Sequence, residues 1–189
     1  TGSGLYQFTV MPFGLANAPM TFQRLMESVL NGLHWSTCLV YLDDCIIMGR
    51  TFDEHLTNLQ EVLQRFRSAN LKLKPSKCQF FKREVTYLGY VISSDGVLPD
   101  PNNIEKVSKW TVPRNVTEVR SFLGLASFYR RFIPKFSQIA SPLTDLTHKG
   151  TPFAWTPECS EAFNNLKTSL TNPPLLAYPD FNLKFNLAT

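Results

Sequence analysis

Tyr41-Leu42-Asp43-Asp44 lies between two short apolar runs, Cys38 to Leu42 and Cys45 to Met48. Both runs are rich in β-branched and bulky residues and are bounded by polar chain, which is the signature of strands. Two strands this close in sequence make a hairpin with the acidic pair at its turn. A two-residue hairpin turn favours Asn-Gly or Asp-Gly, because φ must be positive there. Asp-Asp is poor turn chemistry, and it sets two like charges side by side at the tip of an apolar ribbon. A local rule broken without visible compensation points to function. A divalent cation would compensate, since adjacent carboxylates on a rigid tip are hard oxygen ligands suited to Mg²⁺. On this stretch alone, an exposed acidic turn accounts for the pair equally well.

The chain around the hairpin reads as an α+β layer. Leu5-Tyr6-Gln7-Phe8-Thr9-Val10 alternates like a strand, and Met11-Pro12-Phe13-Gly14-Leu15 breaks it. Asn17 caps a helix with Pro19 in its first turn, a buried stripe of Phe22, Met26, Val29 and Leu33, and Gly32 at its end. After the hairpin, Thr51 and Glu54 form a capping box, with Phe52, Leu56, Leu59, Leu63 and Phe66 as the apolar face. Leu71 to Phe81 is a short alternating segment, a turn and an apolar segment. Val85 to Ile92 is a strand whose internal Gly89 signals a bend or a close backbone approach. Residues 1–92 thus run strand–helix–hairpin–helix–strands, with the acidic tip on the open face of an antiparallel layer.

Ser93 to Pro101, with Gly96 and Pro99, reads as a domain boundary, and a helical segment follows to residue 150. Asn115 and Glu118 start a helix running to about Ile133, with Val119, Phe122, Ala126, Tyr129 and Ile133 as its apolar stripe. Its other side carries Arg120, Gly124, Ser127 or Phe128, and Arg131. Gly inside a helix costs roughly 1 kcal/mol, so Gly124 needs a reason. Close approach of another backbone, whether protein or nucleic acid, is the usual one. Ser141-Pro142 starts a shorter helix ending at Lys149-Gly150. In residues 151–189, Thr156-Pro157 opens a helix to about Leu170, and Leu183, Phe185 and Leu187 alternate as a final strand.

Bulk properties exclude several classes. With 189 residues, 43% apolar and 18% charged, the chain is long enough for one large or two small globular domains. Basic residues outnumber acidic ones nine to seven in residues 1–92 and eight to five in 93–150, but trail two to three in 151–189. The middle segment therefore carries a modest bias towards a polyanion partner. Cys38, Cys45, Cys78 and Cys159 have no metal-ligand spacing, so reduced thiols in an intracellular protein are the simpler reading. His34, His55 and His148 are scattered and receive no role. No signal peptide and no membrane-length apolar run is present. The chain starts without Met and stops inside an alternating pattern, as expected of a piece of a longer protein.

With these motifs in view, the chain resembles the reverse transcriptases of gypsy-type long-terminal-repeat retrotransposons along essentially its whole length. Val10-Met11-Pro12-Phe13-Gly14-Leu15-Ala16-Asn17-Ala18-Pro19 with Thr21-Phe22-Gln23 is similar to the block shaping the incoming-nucleotide pocket. Tyr41-Leu42-Asp43-Asp44 matches the catalytic metal hairpin, and Lys74-Pro75-Ser76-Lys77-Cys78 resembles the segment beside the triphosphate. Tyr87-Leu88-Gly89-Tyr90 looks like the primer-grip hairpin. Val119 to Pro134 is similar to the thumb helix, and Phe153-Ala154-Trp155 through Thr189 resembles the approach to a ribonuclease H-like domain.

The resemblance implies an α+β architecture: a partial palm over residues 1–92, a helical thumb over 93–150, and the start of an RNase H-like connection domain over 151–189. It implies an RNA-directed DNA polymerase acting by two-metal phosphoryl transfer, with Mg²⁺, or Mn²⁺, held by Asp43 and Asp44. Lys77 would stand near the leaving pyrophosphate, and Phe13, Gly14 and Tyr41 would line the nucleotide pocket. Tyr87, Leu88 and Gly89 would grip the primer, and Arg120, Gly124 and Phe128 would face the minor groove of the template–primer. The implied partners are an RNA/DNA template–primer, dNTPs and the remaining parts of a pol polyprotein, in the cytoplasm, within a retroelement particle, or in the nucleus. The family's third metal-binding Asp belongs upstream of the Phe13 block, and its first nuclease Asp beyond Thr189. The expectation is therefore that this chain alone has neither polymerase nor nuclease activity. Two alternatives are a non-catalytic nucleic-acid-binding remnant of a retroelement and an unrelated α+β protein whose basic segment is only a solvated surface.

Overall fold

The computed structural model describes residues 4–12 and 14–184, and the chain divides into two compact units, 1–79 and 80–189. The first contains α1 (Ala18–Val29), β1 (Cys38–Tyr41), β2 (Asp44–Ile47), α2 (Phe52–Ser68) and a 3₁₀ turn, Pro75–Lys77. β1 and β2 are antiparallel, with Cys38 opposite Ile47, Val40 opposite Cys45 and Tyr41 opposite Asp44. Alternation puts Cys38, Val40, Cys45 and Ile47 on one face of the ribbon. They pack with Met26, Leu30, Leu33, Val62 and Phe66, so the helices cover one face, as the α+β reading requires.

Three sequence expectations shift in this unit. Leu5 to Val10 forms no strand among the described residues, and Leu5, Tyr6, Phe8 and Val10 are exposed. No described segment pairs with it, and alternation alone cannot supply a ladder. Asn17 stands at the start of α1 but makes no side-chain capping bond. In α2 the buried residues are Leu59, Val62 and Phe66, whereas Phe52 and Leu56 are exposed. Asn58 Nδ2 donates to Met48 O at 2.8 Å, and the burial of α2 runs through Leu59, Val62 and Phe66 instead of the predicted line. The expected cap holds: Thr51 Oγ1 accepts from Glu54 N at 3.2 Å, and Glu54 Oε2 accepts from Arg50 N at 2.8 Å.

The second unit opens with an antiparallel sheet in the order β3 (Glu84–Tyr87), β4 (Tyr90–Ser93), β5 (Val97–Pro99). Val85 to Ile92 is thus a hairpin with a Leu88-Gly89 turn, and the glycine is where the chain reverses. Four helices follow: α3 (Pro101–Ser108), α4 (Val116–Phe128), α5 (Phe136–Asp145) and α6 (Pro157–Thr171). Their core gathers Val107, Val119, Phe122, Ala126, Tyr129, Phe132, Ile133, Leu143, Phe163, Leu166 and Leu170. All five residues of the predicted α4 stripe are buried.

Helix boundaries differ from the sequence reading where proline acts. α4 stops at Phe128, and a 3₁₀ turn, Arg130–Phe132, replaces its expected last turn. Ile133 precedes Pro134 and is extended, which unwinds the preceding turn into the tighter form. α5 begins at Phe136 rather than at Ser141, after Lys135 in the left-handed region, and Pro142 lies inside it. The C-terminal segment pairs with the sheet edge through Val97 and Leu176. Phe185 and Leu187 of the predicted last strand lie outside the described residues, and Leu183 belongs to no strand.

Candidate active site

The acidic tip has a register different from the one expected. Tyr41 and Asp44 close the hairpin as a pair, so the turn is Leu42-Asp43 and Asp44 begins β2. Leu42 takes φ 54°, a left-handed conformation that disfavours a branched L-residue. The strain is held from outside the hairpin: Leu42 N donates to Gln23 Oε1 on α1, and Gln23 Nε2 donates to Glu27 Oε1 at 2.7 Å. Tyr41 and Asp44 share the face opposite the packed one, and Tyr41, Asp43 and Asp44 are exposed. Among the described residues neither carboxylate has an ion-pair partner. Two adjacent unpaired carboxylates on a braced turn fit as part of the oxygen shell of a divalent cation. No group of three or more His, Cys, Asp or Glu residues able to hold a metal occurs among the described residues.

The other sequence-predicted residues of this unit are more loosely placed. Lys77 ends the exposed 3₁₀ turn, and no described residue forms an ion pair with it. Gly14 is exposed at φ 88°, a conformation that suits glycine, and Phe13 lies outside the described residues. Behind the tip, burial pushes the Cys45 thiol up to about 12, with the neighbouring Cys38 adding to the effect. The hairpin's inner face is therefore apolar and uncharged at neutral pH.

In the second unit, the structure brings two predicted groups together. Leu88 (φ 50°) and Gly89 (φ 80°) form a turn with both residues left-handed, matching the twist of the strands. A Cβ on Gly89 would lie 3.1 Å from Phe128 Cε1, so the turn abuts the end of α4. Phe128 stacks on Tyr90 at 5.2 Å between ring centroids, and Tyr90 Oη donates to Phe128 O at 3.3 Å. Arg120, Gly124 and Phe128 are all exposed along one side of α4. Arg120 Nη2 donates to Thr147 O at 2.8 Å, which fixes its guanidinium. No described atom lies within 4 Å of a Cβ built on Gly124, which removes packing by the described chain as its explanation.

Sequence reasoning missed two buttresses. Gln23 carries no signal of its own within the Thr21-Phe22-Gln23 motif, because its bond to Leu42 spans 19 residues. Tyr129 reads from its spacing as core alone, yet its hydroxyl donates to Gly89 O at 2.8 Å.

A family model for reverse transcriptase (RNA-dependent DNA polymerase) matches residues 1–92, and one for the RNase H-like domain found in reverse transcriptase matches 155–189. The chain belongs to the reverse transcriptase family. Across its whole length it is 42% identical to the retrovirus-related Pol polyprotein from transposon 412 of Drosophila melanogaster, of which it spans 15%. It is 38% identical to the transposon Tf2-3 polyprotein of Schizosaccharomyces pombe, with 98% of this chain and 14% of that protein covered. Among solved structures, foamy viral protease-reverse transcriptase in complex with dsDNA matches with a TM-score of 0.80 and 30% identity, covering 90% of this chain and 36% of that one. The same viral protein with an RNA/DNA hybrid matches with a TM-score of 0.78 and 30% identity, covering 90% and 23%. Within this reverse transcriptase segment, no helix of the described residues is long and apolar enough to cross a membrane.

Proposed function

We propose that this segment supplies the metal hairpin, primer grip and duplex track of an RNA-directed DNA polymerase encoded by a retrotransposon. In this reading residues 1–92 are part of the palm, 93–150 the thumb, and 151–189 the start of an RNase H-like domain. The observation that carries it is the unpaired Asp43–Asp44 pair on an exposed tip that Gln23 braces from α1. Family membership and the nucleic-acid complexes of the structural neighbours support it.

Asp43 and Asp44 would hold divalent metal, Mg²⁺ or Mn²⁺, and reverse transcriptases generally use such ions. Metal bound there supplies Lewis-acid stabilisation of the attacking 3′-hydroxyl and of the leaving pyrophosphate oxygens. Tyr41, beside Asp44, and Phe13 and Gly14 would shape the dNTP pocket, with the glycine letting the nucleotide come close. Lys77 would offset charge developing on the pyrophosphate. Tyr87, Leu88 and Gly89 would set the primer terminus. Arg120, Gly124 and Phe128 would follow the minor groove by backbone and shape, since a polymerase must accept every sequence. The setting would be intracellular, in a cytoplasmic particle or the nucleus.

The test is primer extension on an RNA template with dNTPs and Mg²⁺, using a polyprotein that contains this chain. Asp43→Asn and Asp44→Asn each lose more than the roughly 10–100-fold that outer-shell changes cost. Undiminished extension by both variants would overturn the reading.

A further inference from the structure

The core of the second unit contains a polar contact that packing alone does not require. Tyr129 is fully buried, and its Oη donates to Gly89 O at 2.8 Å while accepting from Asn103 Nδ2 at 2.9 Å. Asn103 sits on α3 and is itself held, its Oδ1 accepting from Lys106 Nζ at 3.0 Å. Asp100 N, at the start of α3, also donates to Gly89 O, at 3.0 Å. One turn carbonyl thus gathers two donors from two elements far apart in sequence. The turn is one that left-handed Leu88 would resist, because an isolated αL residue with a branched side chain costs of the order of 1–2 kcal/mol. A ring without the hydroxyl would fill the same space, so the hydroxyl serves the turn and not the core.

We infer that Tyr129, oriented by Asn103, is a positioning residue that locks the Leu88-Gly89 turn to the end of α4, so that the element setting the primer terminus and the face tracking the duplex move as one body. The inference rests on the proposed roles of Leu88, Gly89 and the Arg120–Gly124–Phe128 face. Phe128 is the second tie: its ring lies against Gly89 and its carbonyl accepts from Tyr90. With the Tyr129 hydroxyl removed, Gly89 O keeps Asp100 N alone, and the turn gains freedom relative to α4 while the aromatic packing of Tyr129 with Phe128 and Phe132 persists.

The experiment compares binding of two RNA–DNA hybrids to the full chain by fluorescence anisotropy, one with a recessed primer 3′ end and one blunt, and follows thermal unfolding alongside. Tyr129→Phe should weaken the recessed substrate roughly five- to tenfold, the scale of one buried hydrogen bond. It should leave blunt-duplex binding within twofold and lower the unfolding midpoint by only the few degrees that one lost hydrogen bond costs. Asn103→Ala should act in the same direction, which keeps the test decisive if one variant folds poorly. Gly89→Ala provides the control, because its Cβ crowds Phe128 at a positive φ. If Gly89→Ala weakens the recessed substrate and both Tyr129→Phe and Asn103→Ala do not, the coupling is wrong and the primer-grip reading stands. If none of the three affects it, or if the chain binds neither hybrid, the primer-grip reading fails and the coupling falls with it. Equal weakening of both substrates by Tyr129→Phe would reduce Tyr129 to a packing residue and overturn the inference.

Discussion

Gly124→Ala should separate folding from nucleic-acid binding. Gly124 lies in the interior of α4, is exposed, and has open space where a Cβ would go. Alanine there removes a helix-propensity penalty of about 1 kcal/mol and meets no neighbour in the described chain. Unfolding of the second unit should therefore become harder by about 1 kcal/mol, a rise of roughly 4 °C for a unit of this size. If a nucleic-acid backbone approaches Gly124 closely, the same methyl intrudes at the contact, at a cost of about 1–3 kcal/mol. That corresponds to an order-of-magnitude loss in affinity for an RNA–DNA hybrid. Thermal unfolding by circular dichroism and anisotropy titration at one fixed low salt concentration read the two effects on the same preparation. A variant that is more stable and binds more weakly supports the reasoning. One that is more stable and binds undiminished would refute it, because the glycine would then be a vacancy with no partner.

Other perturbations follow from the same geometry. Gln23→Ala removes the acceptor for Leu42 N and should lower stability of the first unit by about 1 kcal/mol. In an active polyprotein it should lower kcat while leaving template–primer affinity unchanged, which single-turnover kinetics and a binding titration would check. Gly49→Ala places a Cβ 2.6 Å from His55 Cα and N, which are backbone atoms, so denaturant titration should show a loss of about 1–3 kcal/mol. Cys45 has its pKa raised by burial, so its contribution to stability is complete below the unfolded value near 9.0 and is lost as pH rises towards about 12. The unfolding free energy measured from pH 9 upward should therefore decline less steeply in Cys45→Ala than in the wild-type chain.

The sequence made the paired strands around Asp43 and the buried stripe of α4 readable, because both rest on local periodicity. Thr51, Asn115 and Thr156 were equally legible as caps, since each acts within three residues. What escaped depends on distant partners. The turn fell one residue away from the acidic pair because Leu42 holds a positive φ, supported by a glutamine on another helix. Phe52 and Leu56 continue a plausible stripe, yet both are exposed and the burial of α2 runs through Leu59, Val62 and Phe66. Pro142 read as a helix start, whereas α5 runs through it from Phe136. Gly89 was legible as a bend, but the hydroxyl of Tyr129 that holds it lies 40 residues further on. For the candidate site, residue types at the tip were visible from the sequence, and the braces behind them were not.

The most direct measurement is nuclear magnetic resonance of the chain titrated with Mn²⁺, reading paramagnetic broadening residue by residue. The account predicts broadening centred on Tyr41, Leu42, Asp43 and Asp44 that disappears in the Asp43→Asn, Asp44→Asn double variant. Broadening centred elsewhere, or unchanged in the double variant, would contradict it.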